Sequence, residues 1–234
     1  MAVSAAPKWQ EDGPAVSTRA KNVADLGTAR NGLTALLAHD LKTPLAAISM
    51  NLDFVLAGPD VDVLPVPLRA ALDDCRTANV RAIRILTDMA DAVRLQSGER
   101  RATIAEVDIC ALLDAVVERA ADDAAARHVR LVCSSNPLLA RCDADLFGRA
   151  LERLLERALR HARAGGTIEI ARVDRTIVVR VKASSRDDGG ALAPESAMGG
   201  LAMHFADVAV RAQGGSLWTE SDADGSLSFC VRLP

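Results

Sequence analysis

Residues 33–55, LTALLAHDLKTPLAAISMNLDFV, contain an apolar repeat with a helical period. The repeat runs through Leu33, Leu37, Leu41, Leu45, Ile48, Leu52 and Val55. Steps of three and four residues place these side chains on one stripe of an amphipathic helix. The predicted helix has roughly 28 residues and a length of about 40 Å, which is long for a globular element.

A second long helix is predicted over residues 68–96. Its stripe comprises Leu72, Cys75, Asn79, Ile83, Leu86, Ala90 and Val93. The intervening residues 57–67, AGPDVDVLPVP, end the first helix, because proline is not accommodated in a helix interior. Two long helices joined by a short loop predict an antiparallel hairpin. The hairpin alone leaves apolar positions open, so we expect a homodimer in which two hairpins form a four-helix bundle.

The second half of the chain predicts a different architecture after the polar residues 97–101, SGERR. Helices are expected over 108–126, 143–163 and 201–213, and strands over 129–133, 167–172, 176–182, 216–220 and 227–233. Asp143 and Asp145 are both candidates for the N-cap of the second of these helices. Helices on one face of a mixed sheet make a two-layer α/β sandwich, so the fold class is α+β.

We therefore expect three regions in the chain: a flexible tail over 1–27, a helical hairpin over 28–99 and the sandwich over 100–234. No run of 18 apolar residues predicts a membrane span, and the first residues lack the apolar core of a signal peptide. We therefore expect a cytoplasmic chain without membrane insertion. A net charge of −3 and an aromatic content of 3% argue against a nucleic-acid partner. No histidine has a second ligand spaced for a metal site, so no metal is expected.

His39 is the candidate catalytic residue. It lies two positions from both Leu37 and Leu41, so it points about 200° away from the stripe and toward solvent. Pro44 follows within the same helix, where a proline costs about 3 kcal/mol. A costly proline beside an exposed histidine suggests a functional site, although composition alone favours an incidental surface histidine.

The string His39-Asp40-Leu41-Lys42-Thr43-Pro44-Leu45 resembles the phosphoacceptor box of sensor histidine kinases at every defining position. The resemblance implies that His39 carries a phosphoryl group on an imidazole nitrogen. It implies that Asp40 accepts the hydrogen bond of the other ring N–H. Thr43, one helical turn after His39, would help to orient a water for dephosphorylation of the partner. That partner would be the receiver domain of a response regulator.

Residues 106–234 resemble the ATP-binding domain of the same kinases. The stretch DADLFGRALERLLERALRHA, residues 143–162, is similar to the family's nucleotide-binding helix with its Asn-Leu-Leu-x-Asn-Ala motif. The two asparagine positions fall on Arg153 and Arg157, and the family uses the second to bind Mg²⁺. A guanidinium has no acceptor and a permanent positive charge, so it cannot ligate the metal. Arg149, Arg153 and Arg157 form a ridge at steps of four residues, with Glu156 and Arg160 as an i, i+4 pair. A solvated helix face is the simplest interpretation of this ridge.

The remaining nucleotide motifs are also divergent. In the family's phosphate motif, Gly-x-Gly-Leu-Gly-Leu, two of the three glycines are replaced, by Met198 and Ala202. Gly200 remains as the third glycine, and Gly199 occupies the variable position before it. For the motif Asp-x-Gly-x-Gly, a direct count places Ala183 or Ser184 at the aspartate. If a four-residue insertion is allowed, Asp187 instead occupies the aspartate position, Gly189 the first glycine position and Ala191 the second. The candidate nucleotide contacts are therefore Asp187, Gly189, Gly199 and Gly200.

Three alternative functions follow from this resemblance. The first is a phosphorelay protein that exchanges a phosphoryl group between His39 and receiver aspartates, without ATP or another cofactor. The second is an active cytoplasmic histidine kinase that uses ATP and Mg²⁺ despite its divergent motifs. A third alternative is a regulator-binding scaffold without phosphoryl chemistry, against which the complete His39 box argues.

Overall fold

The computed structural model describes residues 15–59, 61–134, 137–182, 198–222 and 225–233. Its helices are α1 (Ala15–Leu56), α2 (Val66–Ser97), α3 (Ile109–Ala126), α4 (Ala144–His161) and α5 (Leu201–Arg211). Its strands are β1 (Ala105–Asp108), β2 (Arg130–Ser134), β3 (Leu139–Cys142), β4 (Thr167–Val173), β5 (Thr176–Val181), β6 (Ser216–Ser221) and β7 (Leu227–Arg232). The molecule therefore combines a long helical hairpin with a mixed sheet, as the sequence predicts.

Helix α1 begins earlier than the sequence analysis predicts. Residues 15–27, which we assigned to a flexible tail, are helical, and residues 1–14 lie outside the described residues. Residues 15–26 contain neither proline nor glycine. Nucleation is the costly step of helix formation, and extension of an existing helix adds one hydrogen bond per ordered residue. The long helix that follows supplies this nucleus, and α1 also continues through Pro44.

Helices α1 and α2 pack side by side along the hairpin. Pro65 is the N-cap of α2, and Pro67 lies in the first turn, where a missing N–H costs nothing. Asn79 of α2 is 6% exposed, and its side-chain amide donates to the carbonyl of Leu45 at 2.9 Å and to the Ser49 hydroxyl at 2.8 Å. This buried polar contact fixes which turns of the two helices face each other.

The second region is built on a five-stranded sheet in the order β2-β4-β5-β7-β6. Strands β2 and β4 are parallel, and the other neighbours are antiparallel. Burial alternates along β5, where Ile177, Val179 and Val181 are buried and point into the helical layer. Strands β1 and β3 form a separate antiparallel pair that the sequence analysis did not predict.

Asp143 anchors three segments of the second region and is only 6% exposed. It is the N-cap of α4, and its carboxylate accepts from the N–H of Leu146 at 3.0 Å and of Thr103 at 2.8 Å. Its own N–H donates to the side-chain oxygen of Gln213 at 2.6 Å. Of the two N-cap candidates, Asp143 is therefore confirmed, and its contacts fix α4 relative to the end of α5.

Candidate functional site

The three residues of the predicted phosphoacceptor site lie on the outer surface of α1. His39, Asp40 and Thr43 are all exposed, whereas the neighbouring Ala38 is only 2% exposed. The prediction that His39 faces solvent is thus confirmed. Helical geometry places Thr43 one turn from His39 on the same face. An exposed imidazole on a rigid helix is open to an approaching phosphoryl donor.

The arginines of α4 make a buried ion-pair network with α2 rather than a solvated ridge. Arg153 Nε donates to Asp88 Oδ2 at 2.5 Å, and the two side chains are 4% and 3% exposed. Arg149 bridges two carboxylates of α2, at 2.7 Å from Asp88 Oδ1 and 2.7 Å from Asp91 Oδ2. The expectation of a solvated face was therefore wrong, because carboxylates on the facing helix neutralise these guanidinium groups at the contact.

The network continues beyond these two arginines. Arg100 in the connection after α2 contacts Asp91 Oδ1 at 2.7 Å and Asp145 Oδ2 at 3.2 Å. The Arg149 guanidinium also lies 4.6 Å from the ring centre of Phe205 in α5. Burial alone would raise the pKa of Asp91, but hydrogen bonds from Arg149 and Arg100 hold it below its usual value. Burial alone would lower the pKa of Arg149, and its bonds to Asp88 and Asp91 raise it instead.

Glu156 pairs across the helices as well as within α4. Its Oε1 contacts Arg84 of α2 at 2.6 Å and Arg153 at 2.7 Å. The sequence predicted an ion pair between Glu156 and Arg160, but Glu156 is paired with Arg84 and Arg153 instead. The carboxylate thus reinforces the α2–α4 contact.

A groove of about 430 Å³ lies between α2, α4 and the start of α5. It is lined by Arg81, Arg84, Ile85, Asp88, Arg153, Glu156, Arg157, Arg160, Gly199, Gly200, Leu201 and Ala202. The structure thus brings Gly199 and Gly200 together with Arg153 and Arg157 in one groove. The other two candidate nucleotide contacts, Asp187 and Gly189, lie outside the described residues.

Gly200 has the backbone conformation that a glycine provides at the start of α5. Its φ is +100°, a value that side chains disfavour, and it is the N-cap without a side-chain hydrogen bond. The first N–H groups of a helix lack intrahelical partners and carry partial positive charge. The groove therefore meets the positive end of α5 as well as several arginines.

The charged face of α2 was not predicted from the sequence. Arg81, Arg84, Asp88 and Asp91 follow each other at steps of three, four and three residues, which place them on one helix face. A matching charged stripe exists on α4, with Arg149, Arg153, Glu156, Arg157 and Arg160. These two charged stripes, in separate regions of the chain, were the only sequence pattern that could have predicted the ion pairs between α2 and α4. One sequence alone does not show which helices are in contact.

The described residues contain neither a cluster suited to a metal ion nor a helix suited to a membrane. Across 15–59, 61–134, 137–182, 198–222 and 225–233, no group of three or more His, Cys, Asp or Glu side chains is arranged to hold a metal ion. In the same ranges no helix combines the length and the apolar character needed to cross a bilayer.

Comparison with known proteins places these features in a family. Residues 29–98 match the model of the His Kinase A (phospho-acceptor) domain. The chain therefore contains the phosphoacceptor domain of histidine kinases over these residues, and it resembles sensor histidine kinases. The Adaptive-response sensory kinase SasA of Synechococcus sp. (strain JA-2-3B'a(2-13)) is 23% identical over 223 residues, which cover 88% of this chain and 59% of that protein. This chain therefore spans about three-fifths of the relative's length.

Solved structures of histidine kinases share its fold. The Acinetobacter baumannii histidine kinase AdeS superposes with a TM-score of 0.57 at 18% identity, covering 83% of this chain and 96% of AdeS. Full-length ShkA in complex with AMPPNP gives a TM-score of 0.64 at 19% identity, covering 87% of this chain and 45% of ShkA. The predicted combination of a helical hairpin and a kinase-type sheet domain is thus confirmed.

Proposed function

We propose that this chain is a phosphorelay protein that exchanges a phosphoryl group between His39 and the aspartate of a receiver domain. The observation that carries the proposal is the exposed His39 in a complete phosphoacceptor box, inside residues 29–98 that match the phosphoacceptor domain. Asp40 and Thr43 are exposed beside it, within reach of a docked partner.

The proposed reaction is a reversible phosphoryl transfer. A neutral imidazole nitrogen of His39 attacks the phosphorus of an aspartyl phosphate, an N–P bond forms, and the P–O bond to the aspartate breaks with release of the carboxylate. Asp40 accepts the hydrogen bond of the other ring N–H and so stabilises the positive charge that develops on the ring. Transfer to a second receiver reverses these steps.

The residues at the α2–α4 contact are evidence that Mg²⁺–ATP would bind only weakly. Arg153 and Arg157 occupy the positions of the two family asparagines, and Mg²⁺ requires oxygen ligands in an octahedral array. Arg153 is also engaged by Asp88 and Glu156. A metal ion there would meet positive charge in place of an amide oxygen.

The exposed apolar residues of the hairpin are evidence for a homodimer. Leu37, Leu41 and Ile48 of the apolar stripe are 51%, 50% and 46% exposed in the single chain. A groove of about 370 Å³ with an almost entirely apolar surface lies beside them. It is lined by Leu41, Pro44, Leu45, Ala82, Ile85 and Leu86. A second hairpin packed on this surface buries the stripe of both copies, as in a four-helix bundle.

A second candidate function is ATP-dependent autophosphorylation of His39. The open groove beside Gly199 and Gly200 favours it, as does the fold shared with ShkA, which was solved in complex with AMPPNP. A phosphoryl group would then pass from ATP to His39 and onward to a receiver.

One experiment separates the two candidates. The chain is incubated either with radiolabelled ATP and Mg²⁺ or with a labelled phospho-receiver, and base-stable, acid-labile phosphate on the chain is measured. The phosphorelay proposal expects label from the receiver and little from ATP. Rapid labelling from ATP supports the kinase instead, and absence of label from both donors contradicts both candidates. The His39→Ala variant is the control for the labelled position.

A further inference from the structure

Helix α2 packs in both regions of the molecule. Near its middle, the buried Asn79 contacts α1. Near its end, the buried Ala92 belongs to the hydrophobic core of the sheet domain, and Leu95 packs against the same core. The helix Val66–Ser97 contains no glycine, and no proline after its first turn, so its sequence contains none of the residues that usually kink a helix. The hairpin and the sheet domain therefore share one stiff element.

Charged side chains surround this shared apolar contact. They form a cluster, here called the α2–α4 cluster, that consists of Asp88, Asp91, Arg100, Arg149 and Arg153. Each carboxylate is bound by two arginines, at distances of 2.5 to 2.7 Å. The carboxylates of Asp88 and Asp91 are only 3% and 9% exposed. Because Arg149 binds both carboxylates, the pairs of the cluster are linked and support one another.

The connection between the two regions is held by the same cluster. The N–H of Arg100 donates to the carbonyl of Arg94 at 2.9 Å, and its guanidinium contacts Asp91 of α2 and Asp145 of α4. Burial alone would lower the pKa of Arg100, but its bonds to Asp91 and Asp145 raise it instead. Backbone and side chain of Arg100 are thus both fixed, although the polar residues 97–101 have the composition of a hinge.

The sheet domain packs on the face of α2 that is turned away from α1. Asn79, which contacts α1, and Asp88, which contacts α4, are nine positions apart in α2. At about 100° per residue, nine positions amount to two and a half turns, so the two side chains leave the helix on opposite faces. His39 on the outer face of α1 is exposed. The sheet domain therefore leaves His39 uncovered.

We propose that the α2–α4 cluster is an electrostatic lock that holds the sheet domain on α2. The hairpin and the sheet domain then form one rigid body, with no hinge at residues 97–101. A receiver domain reaches His39 without displacing the sheet domain. This last consequence rests on the proposed phosphorelay function, whereas the lock itself does not.

Limited trypsin digestion of the full chain, followed by mass spectrometry, tests the lock. Cleavage after Arg100 or Arg101 requires the connection to leave the sheet domain. Cleavage after Arg127, an exposed residue at the end of α3, reports unfolding of the sheet domain instead. When opening and closing are fast, the rate of cleavage follows the population of the open form.

Two charge reversals on the same helix provide the comparison. Asp88→Lys places a third cation beside Arg149 and Arg153, so cleavage after Arg100 or Arg101 should become at least tenfold faster while cleavage after Arg127 stays unchanged. The matched control is Asp74→Lys, since Asp74 is exposed on α2, and its cleavage rates should equal those of the unsubstituted chain.

Small-angle scattering gives a second readout of the open form. The radius of gyration of Asp88→Lys should increase while its helix content, measured by circular dichroism, stays constant. The unsubstituted chain should keep its radius of gyration at high salt, because salt screens buried pairs much less than exposed ones. If Asp88→Lys does not fold, Asp88→Asn is measured in the same two experiments.

Three results would overturn the lock. They are equal cleavage after Arg100 or Arg101 in Asp88→Lys and the unsubstituted chain, equal acceleration in Asp88→Lys and Asp74→Lys, and expansion only together with loss of helix content.

Labelling of His39 from a phospho-receiver tests the consequence for docking. Its rate should be the same in Asp88→Lys as in the unsubstituted chain, and a faster rate in the open variant would show that the sheet domain obstructs the receiver. Absence of label in every chain would contradict the proposed function alone, since digestion and scattering measure the lock without phosphoryl chemistry.

Discussion

Charged and polar side chains are exposed on the outer face of α1, whereas they are buried at the contact between α2 and α4. On α1, His39, Asp40 and Thr43 are consecutive or one turn apart, and all are exposed. At the α2–α4 contact, Asp88 and Arg153 come from separate regions of the chain and are buried together. The first arrangement leaves reactive groups open to a partner. The second joins the two halves of the molecule, at positions where the resemblance implies nucleotide contacts.

This difference also concerns energy. An exposed ion pair contributes about 0–1 kcal/mol, because water and salt screen its charges. Removal of one member of a buried pair leaves an uncompensated charge and costs about 3–5 kcal/mol. Substitutions on the outer face of α1 should therefore change chemistry with little effect on stability, and substitutions at the α2–α4 contact should do the reverse.

The largest expected effect is loss of phosphorylation in His39→Ala. No other residue is proposed to carry the phosphoryl group, so His39→Ala should abolish the label from a phospho-receiver, because no N–P bond can form without the imidazole. The midpoint of thermal unfolding should stay within experimental error, because His39 is exposed. Label that persists in His39→Ala would assign the reaction to another residue.

The second prediction concerns the apolar stripe near His39. Leu41→Asp places a charge where the proposed bundle buries Leu41, at a cost of several kcal/mol. Light scattering should then show a monomer or an aggregate in place of a dimer. Leu139→Asp is the matched control, since Leu139 is exposed at 62% on β3, away from the hairpin. A dimer that survives Leu41→Asp would contradict the assignment of this stripe to the interface.

Which residues lie on the outer face of α1 could be predicted from the sequence, because their positions depend only on neighbouring residues of the same helix. The exposure of His39 follows from its two-residue offset from Leu37 and Leu41 on one helix. The hairpin and the sheet followed in the same way from helical and alternating periods. The short strands β1 and β3 were missed because four residues are too few to show a period.

The α2–α4 contact could not be predicted because it depends on which helices meet. The sequence places Arg153 and Arg157 at the positions of the family's two asparagines, yet the partner of Arg153, Asp88, lies 65 residues earlier in the chain. Arginines repeated every four residues give the same sequence pattern whether their helix face is exposed to solvent or buried in a contact. Only the tertiary structure distinguishes these two environments.

The third prediction tests the buried contact directly. Asp88→Asn removes the carboxylate that Arg149 and Arg153 share, so chemical denaturation should show a loss of about 3–5 kcal/mol. Glu152→Gln is the control, because it breaks a pair with Arg119, whose side chain is 53% exposed, and it should cost less than about 1 kcal/mol. Equal costs in the two variants would show that Asp88 contributes no more than a surface charge.

The smallest expected effect concerns the pH dependence of the same contact through Asp91. Burial would raise the pKa of Asp91, but its bonds to Arg149 and Arg100 hold it below the unfolded value of 3.8. A carboxyl group with a depressed pKa binds fewer protons in the folded chain than in the unfolded chain. Its stabilising contribution is therefore complete above pH 3.8 and is lost as the pH falls through the folded pKa.

At neutral pH, Asp91→Asn should cost about 1.5 kcal/mol of stability, the lower end for a hydrogen bond to a charged group. The difference between Asp91→Asn and the unsubstituted chain should shrink as the pH falls below 3.8, because protonation removes the same charge that the substitution removes. Denaturant titrations from pH 3 to 7 measure this difference, and a gap that stays constant over that range would show that the ionised carboxylate of Asp91 does not stabilise the contact.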